Sequence, residues 1–177
     1  LLAGRVGRLV NLSALAGDIG VSSTTLAGWL RVLEASCVVF RVTPYHANVG
    51  KRLVKTPKLY FTEPGLVAYL LQIETPAQME RDPLLGNLFE NLVMVEALKG
   101  IHNRNLVATL HFYRDKNGTE IDLVYERLRR PFLVEIKAGT TFHPEMTRSL
   151  NRVAPLPPSR PRTAVVYGEQ THENGTD

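Results

Sequence analysis

Three residues between positions 122 and 137 could do chemistry together. Asp122 stands in the run EIDLVY, between Ile121 and Leu123, and Glu135 and Lys137 flank Ile136 in the run FLVEIK. The alternation of these runs predicts short strands over 110–114, 119–126 and 131–137. The turn Asp115-Lys116-Asn117-Gly118 joins the first two, because Asn and Gly both tolerate positive φ. A strand alternates faces, so Glu135 and Lys137 point the same way, about 7 Å apart along the chain. Phe132, Val134 and Ile136 then face the core. Charges inside apolar strands are costly to bury unless they are paired or hold a metal. Two carboxylates can hold Mg²⁺ or Mn²⁺ through hard oxygens, and a lysine beside them can orient water or offset charge on phosphorus. The chemistry that suits this set is phosphodiester hydrolysis. The competing reading is a solvated sheet face with an ordinary Glu–Lys pair.

The elements that must position these groups lie upstream. Residues 84–99 read as a helix with an apolar stripe of Leu85, Leu88, Phe89, Leu92 and Val95, and Glu90 sits beside that stripe, able to reach the site from the sheet edge. Glu96 is a competing acid. After the strands, 143–152 reads as a helix and 162–167 as a last strand. The expected core is therefore αβββαβ.

That order, a helical Glu90, then Asp122 in a strand, then Glu135-x-Lys137, resembles the PD-(D/E)xK nuclease superfamily. The wording LGNLFENLV, FYRDKNGTEIDLV and VEIKAG, with LVKTPKLYFTEPGL upstream, resembles an uncharacterised C-terminal domain that follows AAA-type ATPase modules in bacteria and archaea. Glu63-Pro64-Gly65 departs from the Asp-x-Gly of that pattern. The resemblance implies an α/β restriction-endonuclease-like mixed sheet behind a small winged helix-turn-helix. It implies catalytic Glu90, Asp122, Glu135 and Lys137, with Asp122 and Glu135 on Mg or Mn. The Ile136 carbonyl is a further ligand candidate, Glu90 an outer acid, and DNA the expected substrate. A module that keeps the fold and binds DNA or protein without catalysis is the alternative.

The expected domains are 1–72, a linker over 73–83, and 84–177. In the first, 1–10 reads as a short helix. Asn11 or Ser13 caps a second, and Gly20 ends it. Ser22 or Ser23 caps a third, which buries Leu26, Trp29, Leu30 and Leu33. Strands follow at 38–42 and 58–61, completing a winged helix. Ser23, Thr24, Ala27, Gly28 and Arg31 are its exposed positions, and of these only Arg31 is a good base reader. Lys51, Arg52, Lys55 and Lys58 make a basic wing suited to phosphates. Backbone contact with nucleic acid, and packing against an ATPase or against the nuclease-like domain, are both open uses for this unit. Arg127, Arg129 and Arg130 form a second basic turn.

The 177 residues carry a formal charge of +4, from 21 basic and 17 acidic residues, compatible with nucleic acid without requiring it. Cys37 is the only cysteine, so neither a disulfide framework nor a zinc-type spacing exists, and a cytoplasmic setting is the default. The five histidines have no ligand spacing. No apolar run approaches a membrane span. No G-x-x-x-x-G-K-[ST] motif occurs, so ATP hydrolysis is expected of a module preceding Leu1, and the non-Met start is read as that of a fragment. A homo-oligomer is compatible with all of this.

Overall fold

The computed structural model describes residues 1–45, 55–127, 130–154 and 161–168. Six strands form one mixed sheet in the order β2-β1-β3-β4-β5-β6. They are β1 (Val39–Pro44), β2 (Lys58–Phe61), β3 (Leu110–Arg114), β4 (Glu120–Arg127), β5 (Arg130–Lys137) and β6 (Arg162–Tyr167). The antiparallel pair β1–β2 is joined to the antiparallel run β3–β4–β5 by the parallel pairing of β1 with β3, and β6 adds to β5 in parallel at the edge. The last four strands, with helices α5 (Leu85–Asn103) and α6 (Arg148–Val153), follow the expected αβββαβ order.

The expected N-terminal and C-terminal units share one sheet. Thr43 and Pro44 of β1 pair with His111 and Phe112 of β3, so the strands of the first unit extend the sheet of the second. Apolar packing crosses the same boundary: Val42 and Tyr60 share a core with Met94, Phe112, Leu123 and Ile136. The stretch read as a linker contains helix α4 (Pro76–Arg81), closed by a capping box between Thr75 and Gln78.

Local signals explain the N-terminal helices. Asn11 caps α1 (Leu12–Ile19) through the Ala14 amide, and Gly20 ends it at φ 80°. Ser22 caps α2 (Ser23–Ala35) through the Thr25 amide. Leu15, Ala16, Leu26 and Leu30 pack with Val39, Leu59 and Val67 of α3 (Pro64–Leu70). Trp29, expected inside, is 49% exposed. The helix expected over 1–10 is only a 3-10 turn, Ala3–Arg5. Beyond it the chain extends along β2, with the Gly7 amide donating to the Leu59 carbonyl and Val10 to Pro57. Tertiary pairing overrides the helical tendency of this short stretch, since one helical turn alone is marginal in water. Two of the basic wing positions, Lys51 and Arg52, and Arg129 of the second basic turn lie outside the described residues.

Helix α5 docks on β2 through a side chain that imitates a strand. Asn91 is wholly buried; its Oδ1 accepts from the Phe61 amide at 2.8 Å and its Nδ2 donates to the Phe61 carbonyl at 3.1 Å. Both backbone groups of Phe61 are thereby satisfied where burial would otherwise cost roughly 1–3 kcal/mol each. This fixes the rotation of α5 and aims the preceding residue, Glu90, at the sheet.

Candidate active site

The sheet breaks at Asp122. Between the pairs His111–Val124 and Tyr113–Ile121 the register of β3 and β4 shifts by one, leaving Asp122 and Leu123 opposite the single residue Phe112. Such a bulge re-aims a side chain and loosens the strand pairing. The β4–β5 pairing ends nearby, at Leu123 opposite Val134. The next free amide, that of Ile136, donates to Asp122 Oδ2 at 2.8 Å. A carboxylate thus stands where a backbone partner would otherwise close the gap, and the two strands part around it.

Glu135 and Lys137 complete one cluster. Lys137 Nζ lies 2.7 Å from Glu135 Oε1 and 3.6 Å from Asp122 Oδ2. Glu135 is 6% exposed, and its Oε2 is buried without a hydrogen-bond partner. Burial and the neighbouring Asp122 push the Glu135 carboxyl up to about 7, against the opposing pull of Lys137. Burial alone would lower the Lys137 ammonium, but Asp122 and Glu135 outweigh it and hold it above the usual lysine range.

A second cluster shares the cleft. Glu90, expected at the sheet edge, is buried at 8% exposure. Its Oε1 accepts from Lys58 Nζ at 2.8 Å and from the Tyr60 hydroxyl at 2.5 Å. Lys58 also pairs with Glu120 Oε1 at 2.5 Å, and Glu120 Oε2 takes Arg114 Nη1 at 3.0 Å. Lys58, read from sequence as a wing residue for phosphates, is therefore an interior ion-pair partner at 3% exposure. Prolonged β2 pairing draws it in, and its ammonium rests 5.4 Å from the centre of the Phe112 ring. Burial pushes Glu90 up, and Asp122 adds to this while Lys58 opposes it. Gly7, at φ 69°, passes so close that a Cβ there would meet Asn87 Nδ2 at 3.1 Å and Glu90 Oε2 at 3.4 Å.

The structure thus brings Glu90, Asp122, Glu135 and Lys137 to one open cleft of about 580 Å³, together with Arg8, Lys58, Arg114, Glu120 and Ser149. Arg31 and Lys55 lie elsewhere on the surface and are exposed. Sequence reasoning missed Tyr60, Arg114 and Glu120. The signal for Glu120 was present: it stands two residues before Asp122, the same spacing that singled out Glu135 and Lys137.

Can these residues hold a divalent cation? Among the described residues no group of three or more His, Cys, Asp or Glu is arranged to hold a metal. Mg²⁺, however, commonly takes one or two carboxylates and completes its shell with water and phosphate oxygens. The unpartnered Glu135 Oε2 beside Asp122 supplies such hard oxygens, so the pair fits.

Residues 85–176, from α5 through β6, match the domain of unknown function DUF4143. The chain belongs to the DUF4143 family. All four candidate catalytic residues fall inside that match. Residues 1–77 match a second domain of unknown function, DUF8612, which contains Lys58 and Tyr60. Two curated relatives, the uncharacterized proteins Rv2008c of Mycobacterium tuberculosis and Mb2031c of Mycobacterium bovis, are each 35% identical over 167 residues. The match covers 94% of this chain and 36% of theirs, so the chain spans about a third of their length. No solved structure matches. Among the described residues, no helix is long and apolar enough to cross a membrane.

Proposed function

We propose that this DUF4143 chain is a metal-dependent phosphodiester hydrolase of the PD-(D/E)xK, restriction-endonuclease-like kind, acting on DNA. In this reading it is the C-terminal part of an AAA-type ATPase, a module that DUF4143 often follows. The observation that carries it is the Asp122–Glu135–Lys137 cluster at the parting of β4 and β5, with Glu135 Oε2 buried and unpartnered. Asp122 and Glu135 would hold Mg²⁺ or Mn²⁺, with the Ile136 carbonyl available beside them. When bound, the ion supplies Lewis acidity toward the phosphate and a more acidic water. Lys137 orients the attacking water and offsets charge that develops on the phosphate oxygens. The water oxygen bonds to phosphorus as an ester P–O bond breaks, and the leaving oxygen takes up a proton. Glu90 would serve as an outer acid, its carboxylate held by Lys58 and Tyr60.

In the same reading, the α1–α2 pair with β1 and β2 is a winged helix. Arg31 and Lys55, exposed in the structure, contact the nucleic-acid backbone together with Lys51 and Arg52. One observation favours a second reading, a binding module without catalysis. Lys137 closes directly on Glu135 at 2.7 Å, as a structural ion pair would.

Cleavage of supercoiled plasmid and of a branched duplex, in Mg²⁺ or Mn²⁺ against EDTA, separates the two. The proposal expects metal-dependent cutting that Lys137→Ala abolishes. Well-folded protein that cuts neither substrate contradicts it and favours the binding module.

A further inference from the structure

Among the cations of the cleft, Lys58 has contacts that reach beyond its restraint of Glu90. Lys58 comes from β2, within the residues that match DUF8612, yet its ammonium touches only groups that match DUF4143. It bridges Glu90 of α5 at 2.8 Å and Glu120 of β4 at 2.5 Å. Three elements therefore converge on a single ammonium, whose side chain is 4% exposed. Glu120 is two residues before Asp122 and lies at the start of β4, on the side of the bulge where the strand has left its β5 partner. Nothing in the β4–β5 pairing holds this end of β4. β3 still pairs with this end of β4, Arg114 with Glu120 and Tyr113 with Ile121, while the Glu120 side chain is anchored by Lys58 and by Arg114, which takes the other oxygen. Glu90 is fastened from the same side, by Lys58 and by Tyr60 two residues along β2.

We infer that Lys58 is a positioning residue of the candidate active site, fixing Asp122 through Glu120 and fixing Glu90 directly. Residues 1–77 then supply part of the site rather than a detachable appendage. This deepens the hydrolase reading and rests on it for the word site, but the placement of Asp122 can be measured without metal or DNA. Lys58 acts through other residues and touches no reacting atom. Misplacing a catalytic group by about 1 Å can cost about 100-fold in rate.

The obvious variant, Lys58→Met, strands Glu90 and Glu120 in the interior and can fail to fold. Lys58→Met combined with Glu90→Gln removes the stranded charge on α5 while Arg114 still answers Glu120. Glu90→Gln alone is the reference. The reporter is the Ile136 amide, which donates to Asp122 Oδ2, followed by ¹H–¹⁵N NMR on the full chain. Amides in the interior of β4 and β5 report overall stability. Positioning predicts that in the double variant, relative to Glu90→Gln, the Ile136 proton moves upfield. Its exchange accelerates about 10-fold beyond the change at the interior amides. Lys58→Arg, which keeps the charge, stays close to wild type at the same amide. An Ile136 amide with the same shift and the same relative exchange in the double variant and in Glu90→Gln overturns the inference. Wild-type protein that neither binds Mn²⁺ nor cuts DNA sinks the hydrolase reading instead, and the amide still decides the role of Lys58. If the protein cuts, the double variant should lose about 100-fold in kcat relative to Glu90→Gln.

Discussion

Two lysine–carboxylate clusters share one cleft and are finished differently. Around Lys58 every described partner is engaged: Glu90 accepts from Lys58 and Tyr60, Glu120 from Lys58 and Arg114, and the lysine side chain is 4% exposed. Around Lys137 the work is left incomplete. Its side chain is 40% exposed, Asp122 takes it only at 3.6 Å, and Glu135 Oε2 has no partner at all. A buried ion pair with all its hydrogen bonds made resists change, because removing one member leaves an uncompensated charge. A carboxylate oxygen buried without a partner is a standing cost, and such costs cluster where a ligand relieves them. The closed cluster is the fully paired one, and in the proposed function the open one would take the cation and the phosphate.

The largest expected effect breaks the closed cluster. Lys58→Met should cost about 3–5 kcal/mol of stability, the range for stripping one partner from a buried ion pair. Urea unfolding followed by circular dichroism measures it. A loss near zero would mean the cluster is as solvated as its neighbour and the contrast is false. Next comes Gly7→Ala, which strains a left-handed residue and pushes a methyl toward Asn87 and Glu90. About 1–2 kcal/mol should be lost in the same assay.

The open cluster should respond with the opposite sign. Glu135 titrates near 7 in the fold against 4.5 for the ordinary group. The folded protein therefore keeps a proton that the unfolded chain releases. The stability this contributes is complete below about 4.5 and is lost as pH rises through about 7. Glu135→Gln cannot lose it. Without metal, the variant should match wild type at pH 5 and exceed it by about 1 kcal/mol at pH 8, a figure discounted for solvent screening. Equal stability of the two proteins at both pH values would place Glu135 in the closed class.

The smallest effects belong to the surface. Arg31→Ala and Lys55→Ala should leave melting unchanged and weaken duplex binding only a few-fold. Each should reduce the salt slope of log K by about 0.9 if its side chain meets a phosphate. Fluorescence anisotropy at several salt concentrations reads this, and an unchanged slope would remove these residues from the nucleic-acid surface.

What the sequence revealed followed the range of the interactions involved. β3, β4 and β5 were legible because alternation and an Asn-Gly turn act within a few residues, and Asp122, Glu135 and Lys137 came with them. The caps at Asn11 and Ser22 and the stop at Gly20 were local too. The pairing of β1 with β3 was not, since it joins Thr43 to His111, 68 residues apart in the chain. Lys58 misled for the same reason. In sequence it ends a basic run, and only in the fold do Glu90 and Glu120 arrive from later elements to enclose it. Trp29 fits the helical period of the buried face, yet it is 49% exposed.

The most direct test of the contrast is the melting temperature with and without millimolar Mn²⁺. Ligand that binds only the folded state raises it in proportion to RT ln(1 + [L]/Kd). Wild type should shift upward, Asp122→Ala and Glu135→Ala should not shift, and Glu120→Gln, on the closed side, should still do so. A wild type whose melting temperature ignores Mn²⁺ would contradict the assignment of the open cluster as a metal-dependent catalytic site.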